Sequence, residues 1–145
     1  MFSKSEFMKV NNGKKLNELD YLHAIYKFND VHIDLVSSFS MLFNPKLELI
    51  NGDLFIRDIF SIDKYDSFIS EGKQIKEVQY WMNLIEITSI FENIELSKAQ
   101  ELAKSIEESW NNKISKLYPN SDINAFVIND QNTDEVFVTL SKLGK

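Results

Sequence analysis

The fold is indicated first by the stretch Leu47-Glu48-Leu49-Ile50-Asn51-Gly52-Asp53-Leu54-Phe55-Ile56. In it, an Asn-Gly pair separates two short apolar runs. A two-residue type I′ turn needs positive φ at both central positions, and Asn and Gly tolerate that conformation at the lowest cost. The sequence therefore predicts a β-hairpin over residues 47–56.

Upstream of this hairpin, apolar residues recur at spacings of three and four, which predicts two amphipathic helices. The first covers residues 14–28. The second follows at once, with Asp30 as its N-cap and Asn44-Pro45 as its end, because a residue before proline disfavours the α conformation. The expected apolar stripes are Leu16, Leu19, Leu22 and Tyr26, and then Leu35, Val36, Phe39, Leu42 and Phe43.

Downstream of the hairpin, residues 61–72 are expected to form a short helix or a loop. Its inward-facing side chains are expected to be Tyr65, Phe68 and Ile69. Residues 78–91 carry both a helical stripe and the β-branched and aromatic enrichment of a strand. We favour a strand over residues 81–90, buried on both faces, and a helix is the alternative.

The C-terminal part of the chain predicts its longest helix and a second hairpin. Ser97 and Gln100 have the spacing of a capping box, and unbroken helical spacing then continues to Pro119. Residues 123–128 and 135–140 alternate in polarity, which is typical of paired strands. The helical stripe consists of Ala99, Leu102, Ala103, Ile106, Trp110, Ile114 and Leu117.

These elements predict an α+β fold: a mostly antiparallel sheet of about five strands, with two N-terminal helices and one long helix packed on it. The chain has 145 residues, no repeat and no low-complexity tract. A single globular domain over residues 1–145 is therefore expected. Residues 1–13 show little periodicity, so we expect a loosely ordered lead-in there.

The composition favours a cytoplasmic protein without a membrane segment. The longest apolar-looking stretches, residues 35–43 and 84–91, contain polar residues and fall short of the roughly 20 residues that a bilayer span requires. Lys4, Glu6 and Lys9 interrupt the apolar residues after the first Met, so no export signal is expected. The absence of cysteine suits a reducing compartment.

No pattern in the sequence predicts catalysis, and we expect a protein that is not an enzyme and carries no cofactor. Four scattered glycines cannot form a phosphate-binding loop. His23 and His32 lie near no nucleophile motif, so a structural role is the expectation for both. Asp130, Asn132 and Asp134 have calcium-loop spacing, but Glu135 and Ser141 replace the required Gly and Glu. A polar hairpin loop is predicted there, and no metal site.

The distribution of charge points to a protein partner. The net charge is −6, and Arg57 is the single arginine, which disfavours binding to nucleic acid. Residues 48–108 hold 13 acidic against 6 basic residues, whereas residues 1–28 hold 5 lysines against 3 acids. An acidic face of this kind steers a basic partner, although ordinary solvated surface is an equal alternative.

Aromatic residues supply the apolar part of such a surface, because Trp and Tyr dominate interface hot spots. Trp81 and Trp110 lie on apolar patterns and are expected in the core. Two tyrosines are expected in the interface together with the acids of the middle segment. The candidate partner-binding residues are Asp58, Asp63, Tyr65, Asp66, Glu71, Glu77, Tyr80, Glu86 and Glu92.

Between about Asn44 and Leu140, the layout resembles that of bacterial toxin-immunity proteins, including those of contact-dependent growth inhibition. The resemblance rests on Trp81-Met82-Asn83, an Ile-rich strand, and a long helix through Trp110 before a terminal hairpin. It implies a cytoplasmic inhibitor that binds a cognate toxin, often a cationic nuclease, and covers its active site.

Two other classes of function remain open, as does the oligomeric state. The first is an acidic secretion chaperone, which holds an unfolded segment of an effector on apolar surface. The second is an enzyme that uses carboxylates and histidine in a pocket that the sequence does not reveal. An immunity-type inhibitor is the leading hypothesis because no catalytic pattern is present.

Overall fold

The computed structural model describes residues 3–12 and 14–142. The chain divides into two compact units, Met1–Ser38 and Phe39–Lys145, where the sequence indicated one domain. The expectation that residues 1–145 form one domain stays a prediction.

The described chain is an α+β protein, as predicted. A 3₁₀ turn covers Arg57–Ile59. The helices and strands, in chain order, are α1 (Lys4–Val10), α2 (Glu18–Phe28), α3 (Ile33–Phe43), β1 (Leu47–Ile50), β2 (Asp53–Ile56), α4 (Ile62–Ser70), α5 (Ile75–Met82), β3 (Ile85–Glu86), α6 (Ile87–Ile90), α7 (Leu96–Leu117), β4 (Asn124–Asp130) and β5 (Glu135–Ser141).

A helix, α1, occupies most of the segment that was expected to be a loose lead-in. The carboxylate of Glu6 accepts a hydrogen bond from the Ser3 backbone N–H at 2.7 Å, and the Ser3 hydroxyl accepts one from the Glu6 N–H at 3.2 Å. This reciprocal capping box stabilises a short helix. The Ser3 backbone N–H, and then the Ser3 hydroxyl, lower the pKa of the Glu6 carboxyl. Residues 1, 2 and 13 lie outside the described residues.

The next two helices are confirmed, but both start later than predicted. Asn17 caps α2, because its side-chain oxygen accepts from the Leu19 N–H at 2.8 Å. Before α3, the Nδ1 atom of His32, and not the Asp30 side chain, accepts from the Asp34 N–H at 3.2 Å. α3 ends directly before Asn44-Pro45, as predicted.

The first hairpin is confirmed in position and register. Strands β1 and β2 pair antiparallel, with Leu49 opposite Leu54. The turn residues Asn51 and Gly52 have φ values of 53° and 87°, which is the left-handed conformation that a type I′ turn needs. The Asn-Gly signal therefore predicted both strands correctly.

The five strands do not form the single sheet that was predicted. β1 and β2 form a two-stranded sheet, whereas β3, β5 and β4 form a three-stranded antiparallel sheet in that order. The second predicted hairpin, between β4 and β5, is confirmed and pairs Val127 with Val138. Arg57 to Ile59 form a 3₁₀ turn after β2 and do not extend this strand.

Residues 78–91 fitted either a helix or a strand, and the strand favoured over residues 81–90 is wrong except at Ile85–Glu86. They form the end of α5, the two-residue strand β3 and the short helix α6. Glu77 accepts a hydrogen bond from the Gln74 N–H at 3.3 Å at the start of α5. Val78 and Met82, four residues apart, are buried on one face of this helix. One buried helical face therefore prevailed over the β-branched composition.

The longest helix, α7, carries the main core of the second unit. It packs on β4 and β5, and its indole at Trp110 is fully buried. Its start differs from the prediction, because Glu95 is the N-cap and Ser97 lies inside the first turn. The buried residues of this helix are Ala99, Ala103, Ile106, Trp110 and Ile114.

A second, smaller core lies among β2, α4 and α5. It is built on Phe55, Tyr65, Val78 and Met82, with the ring of Phe68 packed against it. Ile69, which was also expected to face inward, is 45% exposed. Ile69 is turned about 100° from Phe68 around α4, so it lies at the edge of the side that packs on this core.

The side chain of Asn83 joins the two sheets. Its Oδ1 atom accepts from the Ile56 N–H of β2 at 2.8 Å, and its Nδ2 atom donates to the Leu140 carbonyl of β5 at 3.2 Å. The side chain is fully buried. A buried amide that satisfies backbone groups of both sheets orients one sheet relative to the other.

Replacing Asn83 by alanine is expected to lower the free energy of unfolding by about 2–4 kcal/mol, because buried backbone groups then lose their partners at about 1–3 kcal/mol each. Urea denaturation followed by circular dichroism measures the change. Asn120→Ala, at an exposed position, serves as the control and should change stability by less than about 0.5 kcal/mol. Equal effects of the two substitutions would contradict the role of Asn83.

Candidate functional site

The second unit has a surface groove at Trp81, whose side chain is 49% exposed. The groove has a volume of about 360 Å³ and lies where the end of α5, β3 and α6 meet the 3₁₀ turn. We call it the Trp81 groove. The side chains that line it are Met41, Leu42, Ile59, Lys64, Trp81, Met82, Leu84, Ile85, Glu86, Ser89 and Ile90.

Trp81 faces outward because of its position on α5. Residues turn by about 100° per position in a helix, so a neighbour of the buried Met82 points well away from the core. The indole nevertheless has support: its ring meets the Tyr80 ring edge-on, with centroids 5.0 Å apart. Tyr80 in turn contacts Phe126 of β4, at 6.2 Å. The indole is therefore exposed but held in place. The prediction that Trp81 lies in the core is therefore wrong.

The groove has an apolar centre and a charged edge. Its floor contains the buried Leu42, Met82 and Ile85, while Ile59 and Ile90 are partly exposed at its sides. Lys64 and Glu86 supply charge of both signs at the edge. An apolar centre with a polar rim and an exposed Trp is the usual arrangement of an interface hot spot.

Among the predicted acidic residues, Glu86 is the one that lines the Trp81 groove; it accepts a hydrogen bond from the Thr88 hydroxyl at 3.2 Å. Asp58, on the 3₁₀ turn, accepts from the Lys46 N–H at 2.7 Å. Glu92 is exposed just beyond α6. Four further acids are exposed on α4, at its C-cap and on α5: Asp63, Asp66, Glu71 and Glu77.

Lysines interrupt the acidic surface of α4 and its flanks. Glu71 pairs with Lys73 at 3.6 Å, and the ammonium groups of Lys64 and Lys73 lie over the Phe68 ring at 5.7 and 5.4 Å. The surface is therefore mixed, with an acidic excess. Tyr65, predicted as a contact residue, is only 7% exposed and belongs to the second core.

The net charge of the chain resides in the second unit. Residues 39–145 contain seventeen acidic and eleven basic residues, which accounts for the whole net charge of −6. Residues 1–38 contain five of each and are neutral. A long-range field that attracts cationic partners therefore originates in the unit that carries the Trp81 groove.

The histidines and the calcium-like string show no catalytic arrangement. His23 is exposed on α2, and His32 caps α3. Asp130 accepts from the Asn132 N–H at 2.9 Å within the turn between β4 and β5, so the predicted polar hairpin loop is confirmed. Over residues 3–12 and 14–142, no three acidic or histidine side chains form a group that could hold a metal ion.

The first unit presents a second apolar surface, which we call the α2–α3 groove. It has a volume of about 700 Å³, and among its lining residues only His23 and Lys27 are polar. The apolar stripe that the sequence predicted on α2 is exposed, and its Leu22 is 60% accessible. The described part of α2 buries no residue completely. This helix therefore presents an apolar face to solvent.

Comparison of the chain with family models, with curated proteins and with solved structures finds no match. Within the described residues, no helix has the length and apolar character needed to cross a bilayer. The exposure of Trp81 was not predicted from the sequence. Gln74 and Glu77 have the spacing of a capping box, and this signal for the start of α5 would have indicated a helix with Trp81 beside the buried Met82.

Proposed function

We propose that this chain is a cytoplasmic, immunity-type inhibitor that binds and neutralises a cognate basic toxin domain. One observation carries the proposal: the half-exposed Trp81 lies in an apolar groove on the unit that holds the whole net charge of −6. A preformed apolar anchor site together with a field for cations fits a basic protein surface.

Inhibition by this surface needs no catalytic residue. The negative field raises the rate of encounter with a cationic domain, and the groove then accepts an apolar or long basic side chain. The stem of a lysine or arginine packs on the Trp81 ring, and its charge then lies within reach of Glu86. The bound inhibitor covers the toxin surface that its substrate needs.

The proposal is tested by co-expression with the protein encoded immediately upstream. We expect protection of cells from that protein and a purified one-to-one complex. Because steering is electrostatic, the association rate should fall steeply between about 0.05 and 0.5 M salt, as the screening length shortens. If this chain neither binds that protein nor protects cells from it, the proposal is refuted for that pair.

Reversing the charge of Glu86 is expected to slow association with the toxin roughly tenfold, since charges at the rim of an interface act mainly on the association rate. Stopped-flow fluorescence of Trp81 measures this rate. Glu108→Lys is the matched control, because it makes the same change in net charge on the exposed side of α7. Equal slowing by both variants would assign the effect to net charge and not to the groove.

A secretion chaperone is the second candidate, and the exposed α2–α3 groove is the observation that favours it. A chaperone of this kind holds an unfolded effector segment on apolar surface. Titration with the isolated segment and with the folded partner domain separates the two candidates. An inhibitor binds the folded domain, whereas a chaperone binds the segment.

A further inference from the structure

The α2–α3 groove leaves much apolar surface without a partner. Leu19, Leu22 and Tyr26 follow one face of α2 and are each more than half exposed, as is Ile33 at the start of α3. Helices of eleven residues are marginally stable in water and gain most of their stability from packing. An exposed face of this kind on a short helix indicates that another surface covers it.

The charges on α2 show what kind of surface fits. Asp20 lies in the first turn and Lys27 in the last turn, seven residues apart. Seven residues are close to two full turns, so both side chains lie on the same flank of the helix, about 10 Å apart along its axis. Lys27 forms no ion pair with any residue that the structure describes, and its ammonium lies 5.7 Å from the Phe28 ring.

We propose that a second copy of this chain covers the groove, with the two α2 helices antiparallel about a two-fold axis. In that arrangement the flank that carries Asp20 and Lys27 contacts the same flank of the other α2 helix, which runs in the opposite direction. Lys27 of each copy therefore lies beside Asp20 of the other. A parallel arrangement would bring opposite flanks together, so Asp20 and Lys27 would not meet each other across the pair. The charge order along α2 is thus complementary to itself only when the helices are antiparallel.

The overall charge of the first unit also suits a second copy. Residues 1–38 are neutral, so two of these units approach without net repulsion. No acidic side chain lines the groove, whereas His23 and Lys27 do, so it offers nothing to a strongly basic segment. A second copy that occupies this face also removes the apolar surface that the chaperone candidate requires.

Sedimentation velocity of the full chain over a range of concentrations tests the proposal without any toxin, so its outcome is independent of the proposed function. We expect a dimer whose fraction rises with concentration, and a monomer for Leu22→Asp. Leu117→Asp, at a similarly exposed leucine of α7, is the control and should remain dimeric. A wild-type chain that stays monomeric at all concentrations would overturn the proposal.

Charge exchange tests the antiparallel arrangement itself. Lys27→Glu and Asp20→Lys each create two repulsive pairs, so each variant alone should dimerise roughly tenfold more weakly. An equal mixture of the two restores both attractive pairs and should recover wild-type association. Because Asp20 also accepts a hydrogen bond from the Asn17 N–H, circular dichroism must show that its variant is folded. A mixture no tighter than the separate variants would overturn the antiparallel pairing.

Discussion

Replacing Trp110 by alanine is expected to lower the free energy of unfolding by about 3–5 kcal/mol, the usual cost of removing a buried aromatic side chain. The indole is 0% exposed and lies between α7 and its neighbours in the main core. Its Nε1–H also donates to the Leu42 carbonyl at 2.7 Å, at the end of α3. Urea denaturation followed by circular dichroism measures the loss.

Trp110→Phe separates the two contributions to that loss. Phenylalanine keeps much of the apolar volume but cannot donate a hydrogen bond, so the Leu42 carbonyl loses its indole partner. We expect this variant to lose about 1–3 kcal/mol, less than the alanine variant. A loss below about 1 kcal/mol for alanine would mean that the core does not depend on this residue.

Replacing Trp81 by alanine is expected to change the stability little and the binding affinity strongly. Since its side chain is half exposed, the free energy of unfolding should fall by no more than about 1 kcal/mol. Affinity for the proposed toxin partner should fall by about 2–4 kcal/mol, which is roughly 30- to 1,000-fold in Kd, as expected for a central Trp in an interface. Isothermal titration calorimetry with the purified toxin measures the change.

Ile62→Ala is the matched control for this substitution. Ile62 is an exposed apolar residue of α4 that does not line the Trp81 groove. It should leave both stability and affinity within about 0.5 kcal/mol of the wild type. Unchanged toxin affinity in the Trp81 variant would place the interface elsewhere on the second unit.

The elements that local rules specify were predicted from the sequence. The Asn51-Gly52 turn requires positive φ at both residues, and Pro45 ends the helix before it. The span of α7 follows from seven apolar positions at helical spacing. In each case the deciding interaction lies within a few residues, so a short window of sequence contains it.

The region around β3 could not be predicted in this way. Its composition suits a strand, but its structure depends on residues far away in the chain. Ile85 pairs with Val138, and Asn83 bonds to backbone groups of β2 and β5. These contacts join segments separated by about 30 to 60 residues, and no local pattern encodes which strand edge is available there.

The sequence by itself determined the α+β class, both hairpins, the long helix and the concentration of negative charge in residues 48–108. Only the tertiary structure decided which apolar residues are buried. Trp81 and Trp110 both lie on apolar helical spacing, yet one is half exposed and the other fully enclosed. The spacing of apolar residues indicates that a helix has an apolar face. Burial depends on whether another element packs against that face. That difference separates the core at Trp110 from the candidate binding surface at Trp81.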